Sequence, residues 1–233
     1  MSTRDFTPSR RGFMASGLAG TALVSLTEPV FGQAALPALA DYVPVVLSAD
    51  EWAFLRAATS RLIPSEGEGP GAVEARVAVF IDRQLGDDFG SAADWYMEGP
   101  HDPGADPLLG FQSSLSPKQI YRDGIKSFDD WCRENKGAIF AELGTSEQDA
   151  ALTALDRGEV DLPDTLRDFF DLLLQNTKEG YFSDPSYGGN HGMSGWVHIG
   201  FPGARASFLE WNDPAMDNVA YPLGPVSIAG ERT

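Results

Sequence analysis

His101, His191, His198 and Cys132 are the side chains of this sequence best suited to ligate a metal ion or attack an electrophile. No pair of these histidines has the HExxH or His-x-His spacing that sets two ligands on one ion, so no metal centre is expected. A lone cysteine excludes an internal disulfide and any Cys-rich iron–sulfur site, and at Trp131-Cys132-Arg133 it sits in a helical pattern as packing. Asp184 stands before Pro185 and suits a turn better than a general base, and no serine occupies a Gly-x-Ser-x-Gly elbow. Gly67-x-Gly69-x-x-Ala72 matches a relaxed dinucleotide fingerprint, but it follows a helical pattern instead of a strand. Pro70 also removes a backbone donor that a pyrophosphate would use. No Cys-x-x-Cys-His is present to attach haem. No catalytic, metal or cofactor-binding residue is therefore expected in this chain.

The residue types with the clearest purpose lie at the other extreme of the chain. Ser9-Arg10-Arg11-Gly12-Phe13-Met14 pairs two arginines with Phe13 and a short apolar run, the address of the twin-arginine export route. From Phe13 to Leu26 the run is diluted by glycine, serine and threonine, and at roughly 14 residues it is shorter than the ~20 of a spanning helix. It reads as a removable signal over 1–34, cleaved close to Ala34, where Gly32 and Ala34 supply small residues. The remaining 35–233 is expected to form one domain in the periplasm. This route moves folded proteins, and folded export suits a chain that travels with a cofactor or a partner.

Charge narrows the partners. With 17 basic against 34 acidic residues the chain carries −17, which repels nucleic acid and anionic lipid. A content of 42% apolar and 11% aromatic residues belongs to a folded chain.

The elements that must position any surface read as mainly helical: a single irregular domain of about five to six helices, long Gly/Pro-rich loops and an extended C-terminal tail. Ser48 and Glu51 form a capping box before Trp52, Leu55, Ala58 and Leu62, a stripe that Pro64 ends. A second stripe runs through Val73, Val77, Ile81 and Leu85, with Gly86 as its C-cap. Between Asp87 and Ser114 periodicity fades into a long connection. Ser116-Pro117 supplies N-cap and N1 of a third helix with Ile120, Gly124, Phe128 and Trp131 or Cys132 on one face. Ser146 with Asp149 starts a short fourth helix that stops at Gly158. Pro163 opens a fifth, with Leu166, Phe169, Phe170, Leu173 and Thr177 inward and Gly180 as terminator. After Trp211 the tail has no helical period.

Residues 180–203 form the densest segment, mixing seven glycines and two prolines with five aromatics, Tyr181, Phe182, Tyr187, Trp196 and Phe201. Glycines permit close backbone approach, while each aromatic buries ~150 to 250 Å² and needs something to pack against. The segment is either an internal plug or a docking surface.

Arg61-Leu62-Ile63-Pro64, Gly69-Pro70-Gly71-Ala72 and Phe80-Ile81-Asp82-Arg83-Gln84-Leu85 resemble the small subunit, subunit 3 or gamma, of gluconate 2-dehydrogenase-type complexes. Gly110-Phe111-Gln112, Leu115-Ser116-Pro117, Tyr121-Arg122-Asp123-Gly124-Ile125 and the block from Glu179 to Gly203 continue the resemblance in order, over roughly residues 47–203. His191 and His198 stand where that family often carries basic residues. The resemblance implies a non-catalytic subunit without a cofactor of its own. Its partner would be a large flavoprotein of the glucose-methanol-choline class that holds FAD and oxidises a sugar, sugar acid or polyol. A multihaem cytochrome c subunit, where present, would carry electrons onward with its haem c. The small subunit would escort the flavoprotein through the twin-arginine translocon and meet the membrane only through a partner. Tyr181, Phe182, Tyr187, Trp196 and Phe201 are the expected interface, since Tyr and Trp dominate binding hot spots. A stand-alone periplasmic sugar-binding protein would use the same aromatics as stacking platforms, and an independent enzyme would need a site that the sequence does not display.

Overall fold

Ser48 begins the folded body as expected: its Oγ accepts from the Glu51 N–H at 3.2 Å, while the Glu51 carboxylate accepts from the Ser48 N–H at 2.7 Å. The resulting helix is the first of seven among the described residues of the computed structural model, which are 38–65, 67, 69–102, 104–216 and 222–233. Arg10, Arg11, Phe13 and the whole expected signal lie outside them. The helices are α1 (Ala49–Leu62), α2 (Val77–Gly86), α3 (Asp88–Ser91), α4 (Pro117–Lys136), α5 (Thr145–Asp156), α6 (Phe169–Phe182) and α7 (Ser194–Ile199), joined by loops and short 3₁₀ turns. The fold is mainly α, and the described residues contain isolated β-bridges but no strand. Contacts group Leu36–Thr233 into one unit, to which all these helices belong.

Burial of apolar faces explains the arrangement. Phe54, Leu55 and Ala58 of α1, Val77, Ile81 and Leu85 of α2, Ile120 and Phe128 of α4, and Phe169 and Leu173 of α6 converge on one core. Phe54 lies at its middle, with ring centroids 5.1 Å from Phe140, 6.0 Å from Phe128 and 6.3 Å from Phe169. Gly124 of α4 lets the Phe169 ring lie directly on the helix backbone. The capping box at Ser116 and the Pro117 N1 position are as the sequence indicates.

Several boundaries differ, each for a local reason. Val73 sits in a turn, because Arg76 takes the left-handed conformation (φ 55°) and α2 can begin only at Val77. Gly86 is the last residue of α2, and extended Asp87 follows as its cap. The fourth predicted helix starts at Thr145, where the Glu147 carboxylate accepts from the Gly144 N–H at 3.3 Å. Asp149 is committed elsewhere, in a two-point pair with Arg61 at 2.6 and 2.9 Å. Pro163 leads into a 3₁₀ turn at Asp164–Leu166, so α6 begins only at Phe169. Gly180 does not stop that helix: it lies inside α6, where a Cβ would come within 2.9 Å of the Phe80 ring. The long connection is partly ordered by aromatic edges, Trp95 meeting Phe89 at 5.8 Å and Phe111 at 4.7 Å.

The tail returns to the domain. The Val226 N–H donates to Pro202 O at 3.2 Å, the Ala204 N–H to Val226 O at 2.7 Å, and the Ile228 N–H to the Asp184 carboxylate at 2.7 Å. Asp184 also accepts from the Ser186 N–H at 3.0 Å, so one buried carboxylate couples the tail to the turn carrying Tyr187. Asp184→Ala is expected to free residues 222–233 first, read as faster proteolytic cutting after Tyr221 while α1 to α6 keep their helical circular dichroism.

Candidate docking surface

Residues 180–203 are a folded hairpin of short helical turns, and their glycines explain how. At Gly189 any Cβ would collide with the Gly180 carbonyl, and Gly195 packs as closely on the Tyr181 carbonyl. Asn190 (φ 44°), Gly192 (φ 62°) and Met193 (φ 55°) are all left-handed, which reverses the chain so that α7 lies back against the end of α6. Asn190 tolerates this conformation because its buried side chain bonds locally at both its nitrogen and its oxygen. Its Nδ2 donates to Ser183 O at 2.8 Å, and its Oδ1 accepts from the Gly195 N–H at 2.8 Å.

This reversal separates the five aromatics expected to face a partner. Tyr181 is 4% exposed and its hydroxyl donates to Pro70 O at 2.6 Å; burial, then the charge of Glu74, pushes its phenol above the usual range. Trp196 is 6% exposed, and its indole N–H donates to Phe182 O at 2.7 Å. These two are internal anchors in the isolated chain, a correction to the expectation that the segment presents them outward. The physical reason is burial of the rings, which is possible because a backbone carbonyl accepts from each polar tip inside. Phe182, Tyr187 and Phe201 remain 43%, 50% and 38% exposed. Of the five aromatics, two thus form an internal plug and three leave an open face.

Two depressions adjoin the exposed aromatics. Phe80, Gln84, Glu179, Phe182 and Tyr187 are among the residues lining an open groove of about 410 Å³ between α2 and the end of α6. A smaller cleft of about 190 Å³ lies among Trp196, Phe201, Pro202 and the tail residues Gly224 and Pro225. Both are mostly apolar.

The groups screened for chemistry are scattered. The His198 ring covers Gly69, and the His191 imidazole is held below its ordinary pKa by burial and then by the charge of Arg76. The Cys132 thiol is pushed up to about 12, by burial first and by Asp129 second, which suppresses its thiolate. Among the described residues, no three His, Cys, Asp or Glu side chains gather as a metal site. In the Gly69 loop the Glu74 carboxylate accepts from the Gly71 N–H at 3.0 Å and from Ser65 Oγ at 2.6 Å. A donor that a phosphate would need is therefore already occupied. None of the described helices is long and apolar enough to cross a membrane.

One important carboxylate was not singled out by sequence reasoning. Asp82, fully buried on α2, accepts from Tyr42 Oη and the Val45 N–H at 2.7 Å, and from the Val46 and Leu47 N–H groups at 3.1 Å. Its signal was an acidic residue that directly follows the apolar run from Val77 to Ile81 at the helical spacing of a buried face.

Comparison with curated proteins and with solved structures gives no match. A family does match, and it does so across the helical body and the hairpin together. With residues 49–203, from the first turn of α1 to the glycine that bridges to the tail, matching gluconate 2-dehydrogenase subunit 3, this chain belongs to that family.

Proposed function

We propose that this chain is the non-catalytic small subunit of a periplasmic, FAD-dependent dehydrogenase complex oxidising CH–OH groups of a sugar, sugar acid or polyol. Its role is to help the large flavoprotein subunit fold and to carry it, with FAD already bound, through the twin-arginine translocon. The observation that carries this reading is the family match over residues 49–203 on a chain whose residues 9–14 hold Ser-Arg-Arg-Gly-Phe-Met. The family describes a dehydrogenase subunit, and the arginine pair describes an export path for folded cargo. Electrons leave the flavoprotein for a multihaem cytochrome c subunit in complexes that contain one.

The test is to tag the chain at its C-terminus in its native host and fractionate periplasm and membrane. A larger flavin-containing protein is expected to co-purify in a fixed ratio. With Arg10→Lys and Arg11→Lys together, both proteins should disappear from the periplasm and accumulate in the cytoplasm. Recovery of a lone, colourless, folded chain from the periplasm would defeat the proposal.

A further inference from the structure

The groove between α2 and α6 combines apolar walls with one-sided charge. Phe80 forms its floor, held against Gly180 at a separation that admits no Cβ. Phe182 and Tyr187 form walls with about half of each ring exposed. The Phe182 carbonyl is fixed by the Trp196 indole, and Asp184, which begins the turn carrying Tyr187, is tied to the tail through Ile228. The backbone that carries both walls is therefore set before any partner arrives, which lowers the ordering cost of binding.

At the rim stands Glu179, exposed on α6. Its two oxygens accept from Gln175 Nε2 and Asn176 Nδ2, each at 2.8 Å, and both donors are neutral amides that leave the carboxylate charge uncancelled. Asp184, also among the lining residues, adds a second carboxylate, which accepts from the neutral backbone N–H groups of Ser186 and Ile228. Arg83 is the cation at the Tyr187 side, engaged with Ser186 O at 3.4 Å and packed on Gly188. The rim is acidic within a chain of net charge −17.

We propose that this groove receives a segment of the partner flavoprotein in which an aliphatic or aromatic side chain is followed closely by arginine or lysine. The apolar side chain enters between Phe80, Phe182 and Tyr187, and the cation pairs with Glu179. This assignment rests on the subunit reading above. An apolar anchor supplies most of the affinity, and the charge pair selects orientation and partner.

The test uses the whole chain with its partner in the native host. Tyr187→Ala changes an exposed side chain, and Glu179→Gln removes the charge while keeping an oxygen that can accept from Asn176, so the folded state should survive, as checked by circular dichroism and Tm. Each is expected to lower recovery of the flavoprotein by about tenfold or more, while Leu108→Ala, at an exposed residue that does not line the groove, leaves it unchanged. A photo-crosslinking residue at position 187 should capture a flavoprotein peptide containing an apolar residue near an Arg or Lys. Flavoprotein recovered at wild-type yield from both variants overturns the groove assignment and leaves the subunit reading intact. A wild-type chain that recovers no flavoprotein overturns both. Crosslinking of position 187 to a second copy of this chain, or to a peptide without a cation, also overturns the assignment.

Discussion

Asp82→Ala is expected to lower the stability of the folded chain by about 3 kcal/mol, because it removes one fully buried carboxylate on which four donors converge. The carboxylate accepts from three successive backbone N–H groups, those of Val45, Val46 and Leu47, and from the Tyr42 hydroxyl. These donors belong to the segment that leads into α1, and Asp82 belongs to α2. One side chain therefore ties the segment before α1 to the middle of α2. Burial and the same carboxylate raise the Tyr42 phenol well above its usual pKa, so Tyr42 stays a donor through the neutral range. Urea unfolding of the purified chain measures the loss, and limited proteolysis locates it, with new cutting expected between residues 42 and 47. Asp82→Asn keeps one acceptor oxygen and should lose less. Equal stability for the alanine variant and the native chain would show that solvent satisfies those donors without the carboxylate.

What could be read from the sequence and what could not divides along local and non-local causes. The caps at Ser48 and Ser116 were legible because the partners of each lie three residues apart and the chemistry is self-contained. The α4 stripe of Ile120, Gly124 and Phe128 was legible because its spacing alone specifies a buried face, and of the two residues left open for its last position it is Cys132 that is buried. Gly180 was misread because glycine signals either a stop or a close approach, and only the position of Phe80, 100 residues earlier, decides between them. Asp149 looked like part of a cap until Arg61 claimed it across the fold. The same limit applies to the aromatics expected at an interface. Their density in residues 180–203 was visible, but which ring turns inward depends on the carbonyls of Pro70 and Phe182. Sequence also supplied no reason to join Phe80 and Gln84 of α2 to that segment, and the groove exists only because both helices contribute.

Phe54→Ala should cost about 4 kcal/mol, within the range for removing a fully buried phenylalanine. The stripe Trp52, Leu55, Ala58 and Leu62 implied a core face that passes beside this residue, yet Phe54 is fully buried while Trp52 and Leu62 are only partly so. The face of α1 is rotated toward Phe54 because α1 is packed on more than one side. Its ring meets Phe128 of α4 edge-on, Phe169 of α6 at a tilt, and Phe140 from the 3₁₀ turn before α5. Truncation would thus open a cavity shared by three separate segments, with little chance for any one of them to close it. Phe54→Leu keeps most of the volume and is expected to lose clearly less. Urea denaturation should show a lower midpoint with an unchanged slope, as for a change in native stability alone. A loss below about 1 kcal/mol would mean that the surrounding rings collapse into the space, and that the four-ring cluster is not the centre of the core. Since α6 carries the exposed Phe182 at its far end, loosening its packing at Phe169 should also weaken partner recovery. Substitutions confined to the groove rim should weaken it without lowering the urea midpoint, so the two measurements together separate damage to the body from damage to the surface.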